Sequence, residues 1–187
     1  MTAELDRDTI DRYLPFIRMR VRQLELDPRL RGRLGESDLV NDAVVKALAG
    51  WDGRRGQTEG ELLRWLQAVV HDACVDAIRF HTAGKRDVAR ERVLEAARNE
   101  SSASIREYLA AATSSPSKHA MRHEALLRLA GAVDALPGDQ RDVVILHYLL
   151  GAKVADIADR VGKPEGTVGY LLFVARRTLK DQLRALE

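Results

Sequence analysis

Four titratable or nucleophilic side chains crowd one short stretch of the chain, His71, Asp72, Cys74 and Asp76. Their spacing is not that of a metal site. Paired Cys/His ligands are missing, and a helix sends positions 71, 72, 74 and 76 in different directions around its axis. His119 and His123 stand four residues apart, on one face of a predicted helix, but no third ligand lies near them in sequence. They read as surface histidines. No glycine-rich phosphate loop, nucleophile elbow or His-Glu-x-x-His pattern occurs. The chain is therefore expected to be no enzyme and to need no metal or cofactor.

The clearest chemistry belongs to cations. Arg79, His81, Lys85, Arg86, Arg90 and Arg92 form the densest basic cluster, with Asp87 and Glu91 as the only acids among them. Such a cluster suits contacts to phosphate, which supply affinity without sequence information. A solvated charged helix is the alternative. Upstream, Trp51 and Trp65 can stack on unpaired bases, although a tryptophan in a small helical domain is more often core. A second, sparser set of cations, Lys163, Arg176, Arg177 and Lys180, lies near the C-terminal end.

The elements that must position these groups are all predicted as helices. Ile10, Tyr13, Leu14, Ile17, Val21 and Leu24 hold helical spacing over 8–26, with Pro15 expected to kink the helix or delay its start, Pro28 to end it, and Arg18, Arg20 and Arg22 at the solvent side. A second helix starts near Ser37, a good N-cap, with Leu39, Ala43, Val44, Ala47 and Leu48 inward. Its Asp38, Asn41, Asp42, Val45 and Lys46 are left outside. A third spans 61–80 with Leu62, Leu66, Val69, Val70, Ala73 and Ala77 as its core stripe. From 99 to 119 the composition turns to Ser, Ala and Thr with Pro116, a linker. Leu126, Leu129, Ala130 and Val133 then line a helix over 121–136 that Pro137 stops.

The last fifty residues hold the most specific pattern. Val154, Ile157, Ala158 and Val161 form one apolar face, Gly162 suits a left-handed turn, and Pro164 suits the start of a second helix. That second helix carries Val168, Leu171, Leu172, Ala175, Leu179 and Leu183 inward. A short helix, a glycine turn and a longer helix with basic residues make the helix-turn-helix arrangement that enters a DNA groove.

Leu136-Pro137 with Arg141, the pair Ile157-Ala158, the run Glu165-Gly166-Thr167-Val168, and Ala175-Arg176 together resemble region 4 of the extracytoplasmic-function (ECF) sigma factors of bacterial RNA polymerase. The Asp38-Leu39-Val40-Asn41-Asp42 helix and the Arg79–Val88 segment resemble region 2 of the same family. The resemblance implies an all-α protein of two small helical domains, a region 2 bundle over 1–97 and a region 4 helix-turn-helix over 120–187, joined by a flexible linker over 98–119. It implies core RNA polymerase and promoter DNA as partners. Asp38, Leu39, Val40, Asn41, Asp42, Val45 and Lys46 would grip the polymerase. Trp51, Arg64, Trp65, Arg79, His81, Lys85, Arg86 and Arg90 would hold and melt the −10 element. Lys163, Glu165, Gly166, Thr167, Tyr170, Arg176, Arg177 and Lys180 would meet the −35 element.

One departure stands out. Where the family usually continues Gly-Thr-Val with basic residues and serine, this chain has Gly169, Tyr170, Leu171 and later Val174. The outward face then holds Gly166, Gly169, Tyr170, Phe173, Val174 and Arg177. Exposed apolar surface usually marks a protein partner. Tyr170 and Phe173 are thus expected to dock a protein, such as an anti-sigma factor or an activator; the blander reading packs Phe173 and Val174 against the preceding helices. A stand-alone helix-turn-helix regulator and a sigma-fold adaptor remain alternatives.

Composition sets the outer bounds. The chain is 45% hydrophobic and 31% charged with net charge +2, so nucleic-acid contacts must come from local clusters and not from an overall basic field. No apolar run reaches the length of a membrane span, no leader-type stretch opens the chain, and the single Cys74 suits a reducing cytosol. A cytoplasmic protein that does not engage membranes is expected.

Overall fold

A computed structural model describes residues 7–24, 34–51, 58–82 and 116–184. Every element among the described residues is helical. In order these are α1 (Arg7–Gln23), α2 (Glu36–Gly50), α3 (Glu59–Thr82), α4 (Pro116–Asp134), α5 (Gly138–Val144) running into a π turn (Ile145–Leu149), α6 (Val154–Val161) and α7 (Glu165–Arg184). The chain divides into two compact units, Met1–His123 and Glu124–Glu187. Helix α4 begins at Pro116, so the last residues of the expected linker are helical. Proline is suited to that first position because its missing N–H has no partner there in any case. No described helix is long and apolar enough to cross a membrane.

In unit 1, α1, α2 and α3 pack on one another around Phe16, Ile17, Met19, Leu39, Ala43, Leu63, Leu66 and Val70, all buried. Helix α1 continues through Pro15 from Arg7 to Gln23, and Pro28 lies outside the described residues. Arg20, expected at the solvent side, is buried, and its Nη1 donates to Gln23 Oε1 at 2.6 Å. Burial lowers its guanidinium pKa to about 10. The helical period explains the placement: Tyr13, Ile17, Arg20 and Leu24 fall on one stripe, and the apolar stem of the arginine fills its place there. Arg22 pairs with Glu36 at 2.6 Å.

Helix α2 takes Gly35 and not Ser37 as its N-cap, and the Gly35 carbonyl accepts from the Asp38 and Leu39 N–H groups. Leu48, expected inside, is 44% exposed because Ala47 occupies the inner contact. Helix α3 is rolled relative to the expected stripe. Leu63, Cys74 and Ile78 join Leu66, Val70 and Ala73 in the core, while Leu62, Val69 and Ala77 are half-buried. Two adjacent rows of this helix are apolar, so both satisfy the helical spacing, and packing against α1 and α2 selects one. Its start is held by a capping box: Thr58 N and Oγ1 donate to Glu61 Oε2, and Glu61 N donates to Thr58 Oγ1. Gly60, in the first turn, lies against the imidazole of His123, which a Cβ at that position would strike. His123 is therefore buried and not a surface histidine.

Unit 2 encloses Val133, Leu136, Val143, Val144, Ile145, Leu146, Ile157, Ala158, Val168, Leu172 and Ala175. Pro137 stops α4 and serves as N-cap of α5, its carbonyl accepting from Arg141 N at 2.9 Å. Arg141 Nη1 returns to the Asp134 carbonyl at 3.1 Å and so fixes that corner. The π turn closes with Leu150 N donating to Ile145 O, and Gly151, at φ +70°, redirects the chain into α6.

Candidate nucleic-acid interface

Helices α6 and α7 are set by three local devices. Ile157 and Ala158 bury the short helix, whose apolar residues fall on one face. Gly162 then takes φ +65°, the left-handed conformation, and its N–H donates to the Ala158 carbonyl. The Pro164 carbonyl accepts from Thr167 N at 2.9 Å and Val168 N at 3.1 Å, starting α7. Lys163 joins the turn to α5 through an ion pair with Asp139 at 3.0 Å. Of the residues expected at a −35 element, Lys163 is thus already engaged within the unit.

Val168, Leu172 and Ala175 seat α7 on its unit. The opposite face displays Glu165, Gly166, Thr167, Tyr170, Arg176, Arg177 and Lys180, all exposed, together with Gly169, Phe173 and Arg184. Tyr170 is 66% and Phe173 58% exposed, so Phe173 does not pack on the preceding helices, whereas Val174 is half-buried. Nothing lies within 4 Å of a Cβ built at Gly166 or Gly169.

Unit 1 presents a groove of about 510 Å³ between α2 and α3, lined by Leu34, Asp38, Leu39, Asp42, Val45, Lys46, Ala73, Asp76, Ala77 and Phe80. Asp38, Asn41 and Asp42 are exposed, and Val45 is 64% exposed. Leu39, inward as expected, forms the groove floor, and Val40 is buried in the core, so Val40 does not present the polymerase-gripping surface that the resemblance implied for it. Position 40 turns inward because it lies one helical step from Leu39, beside Ala43 and Ala47. Lys46 Nζ bridges to Asp76 on α3 and lies 3.3 Å from the Asp72 carbonyl. The hydrogen bond and charge of Lys46 hold the Asp76 carboxyl below its usual pKa, with Arg79 adding to the effect. Behind the groove, burial pushes the Cys74 thiol up to about 12, reinforced by the Asp42 charge and opposed by Lys46.

Two groove residues were given no polymerase-binding role from sequence, Asp76, weighed there only as a metal ligand, and Phe80, which is 80% exposed. Their four-residue spacing on the face away from the core stripe was the available signal. Of the expected −10 set, Trp51 is buried, its ring edge-on to Trp65 at 6.0 Å, so it serves the core and offers no stacking platform. Trp65 is half-buried and Arg64 exposed. Arg79 is exposed, 3.5 Å from Asp76. His81 falls near the end of α3; its side chain, and Lys85, Arg86 and Arg90 entirely, lie outside the described residues.

The family described as Sigma-70, region 4 matches residues 126–179, from the latter half of α4 through most of α7. No curated protein matches the chain. Residues 126–179 of unit 2 are thus similar to a sigma region 4 domain.

Proposed function

We propose that the chain is a sigma factor of the ECF type, which binds core RNA polymerase and directs it to specific promoters. The observation that carries this reading is the helix-turn-helix of α6 and α7 inside the region 4 match. Unit 1 would supply the region 2 tasks. The exposed part of the α2 face, Asp38, Asn41, Asp42 and Val45, with half-buried Lys46 beside it and Asp76 and Phe80 across the groove, would grip the polymerase. An acidic rim around apolar residues suits a partner surface that is basic and partly apolar. Arg64, Arg79 and the cations at 85, 86 and 90 would hold the −10 strand, and the outer face of α7 would meet the −35 element. Opening the duplex draws on binding energy, so the subunit needs no cofactor of its own.

Run-off transcription tests this reading, with purified bacterial core polymerase and a library of upstream regions, with and without the protein. Specific transcripts that depend on the protein are expected. A folded protein that does not bind core polymerase would overturn the proposal.

A stand-alone helix-turn-helix regulator is the second reading, favoured by the fact that unit 1 lies outside the region 4 match. It has no use for the α2 face. Asp38→Lys with Asp42→Lys should abolish transcription by a sigma factor and leave a stand-alone regulator intact.

A further inference from the structure

The outer face of α7 changes character along one line. Gly166, Tyr170, Phe173, Arg177, Lys180 and Arg184 are spaced by four, three, four, three and four residues, a single stripe of an α-helix, and all are exposed. The stripe runs from a glycine through two aromatics to three cations. A protein-docking patch is usually an apolar centre ringed by polar groups and does not require the cations to follow the aromatics along one line. A groove-reading helix does need this order. Such a helix places its N-terminal residues against base edges and meets phosphates farther along. From Tyr170 to Lys180 is about 15 Å at 1.5 Å per residue, enough to carry the cations to the rim of a major groove about 12 Å wide.

The base-reading half then has an unusual vocabulary. Between Glu165 and Ala175 no amide or guanidinium side chain occurs, so the forks that pair with guanine or adenine are missing. Beyond Glu165 and Thr167 at its first turn, the face offers two aromatic rings and two glycines, where a Cβ would meet nothing within 4 Å. The major-groove edge of the base pairs has one apolar feature, the C5 methyl group of thymine. We infer that α7 reads its DNA element through thymine methyl groups held against Tyr170 and Phe173, with Gly166 and Gly169 letting the helix backbone approach the bases. The inference rests on the DNA-binding reading of unit 2 proposed above. It moves Phe173 from the protein-docking role expected from sequence to base recognition, chooses the DNA role for Tyr170, which was expected both at the −35 element and at a protein, and specifies thymines under the two rings.

The test selects duplexes from a random library with the full chain, alone and bound to bacterial core polymerase. It then remakes the enriched element with deoxyuridine in place of thymine, which removes only the methyl group. Each methyl lost under α7 should weaken binding about fourfold, the transfer value of one buried methyl-sized group. The double variant Tyr170→Ala, Phe173→Ala should bind more weakly and no longer distinguish thymine from deoxyuridine, a coupling that a general loss of affinity does not produce. Both side chains are exposed, so the variant should keep the far-ultraviolet circular dichroism of the parent. Phe173→Arg should gain a preference for guanine. An enriched element indifferent to deoxyuridine, or a discrimination that survives in the double variant, overturns the inference and returns the aromatic pair to a protein partner. If no sequence is enriched in either form, the DNA-binding reading itself falls.

Discussion

Helices α2 and α7 solve the same problem with opposite charges. Each buries one stripe in its own unit, Leu39, Val40, Ala43 and Ala47 for α2 and Val168, Leu172 and Ala175 for α7. Each leaves apolar side chains outside, Val45 and Leu48 on the first and Tyr170 and Phe173 on the second. The surroundings differ. Around Val45 stand Asp38, Asp42 and a lysine already bridged to Asp76. Beyond Phe173 stand Arg177, Lys180 and Arg184. An exposed apolar residue says little about its partner, and the charges beside it say more. Acids exclude a polyanion from α2, while cations invite one to α7.

The comparison breaks most severely at the cores. Phe16 in unit 1 and Ile157 in unit 2 are each about 1% exposed. Phe16→Ala should cost about 3–5 kcal/mol and Ile157→Ala about 2–5 kcal/mol in urea unfolding. The first should remove polymerase binding before duplex binding, and the second should do the reverse. If both variants lose both activities together, the division of labour between the helices is wrong.

Smaller changes sharpen it. Gly162→Ala places a side chain at φ +65° and should cost about 1–2 kcal/mol, lowering the melting temperature and duplex affinity by misaligning α7. A neutral result would mean that the turn relaxes. Thr58→Ala removes the capping box of α3 and should cost about 1 kcal/mol, measurable as a shift in the urea midpoint with duplex binding by unit 2 unchanged. The smallest effect belongs to Lys46→Met. Asp76 has a depressed carboxyl pKa in the folded protein. Its pairing therefore stabilises above the ordinary carboxylate pKa of about 3.9 and is lost as pH falls through the lower folded value. The variant should flatten the acid-side fall in stability. An unchanged pH profile would show that the bridge contributes nothing in solution.

Much of this was legible from residue types and spacing. The apolar period over 154–161, the glycine and the proline specified the helix-turn-helix, because a left-handed turn has few chemical solutions. The outward position of Tyr170 and Phe173 followed from the same wheel. The capping box of α3, Thr58 with Glu61, was missed and the helix was expected to start at 61, although such a box depends on neighbours in sequence alone. The α2 helix was visible too, with Leu39 inward as expected, yet Val40, counted with the polymerase-gripping residues, lies in the core.

Local periodicity thus determined that helices form, roughly where they end, and which chemistry each can display. It could not decide between neighbouring apolar rows. The choice of Leu63 over Leu62, of Ala47 over Leu48, and the burial of Arg20, Trp51 and His123 depend on which other helix arrives and at what angle. The Lys46–Asp76 bridge and the α2–α3 groove join residues thirty positions apart. Such contacts exist only once tertiary packing brings two faces together, because each helix alone satisfies its own backbone whichever face it turns inward.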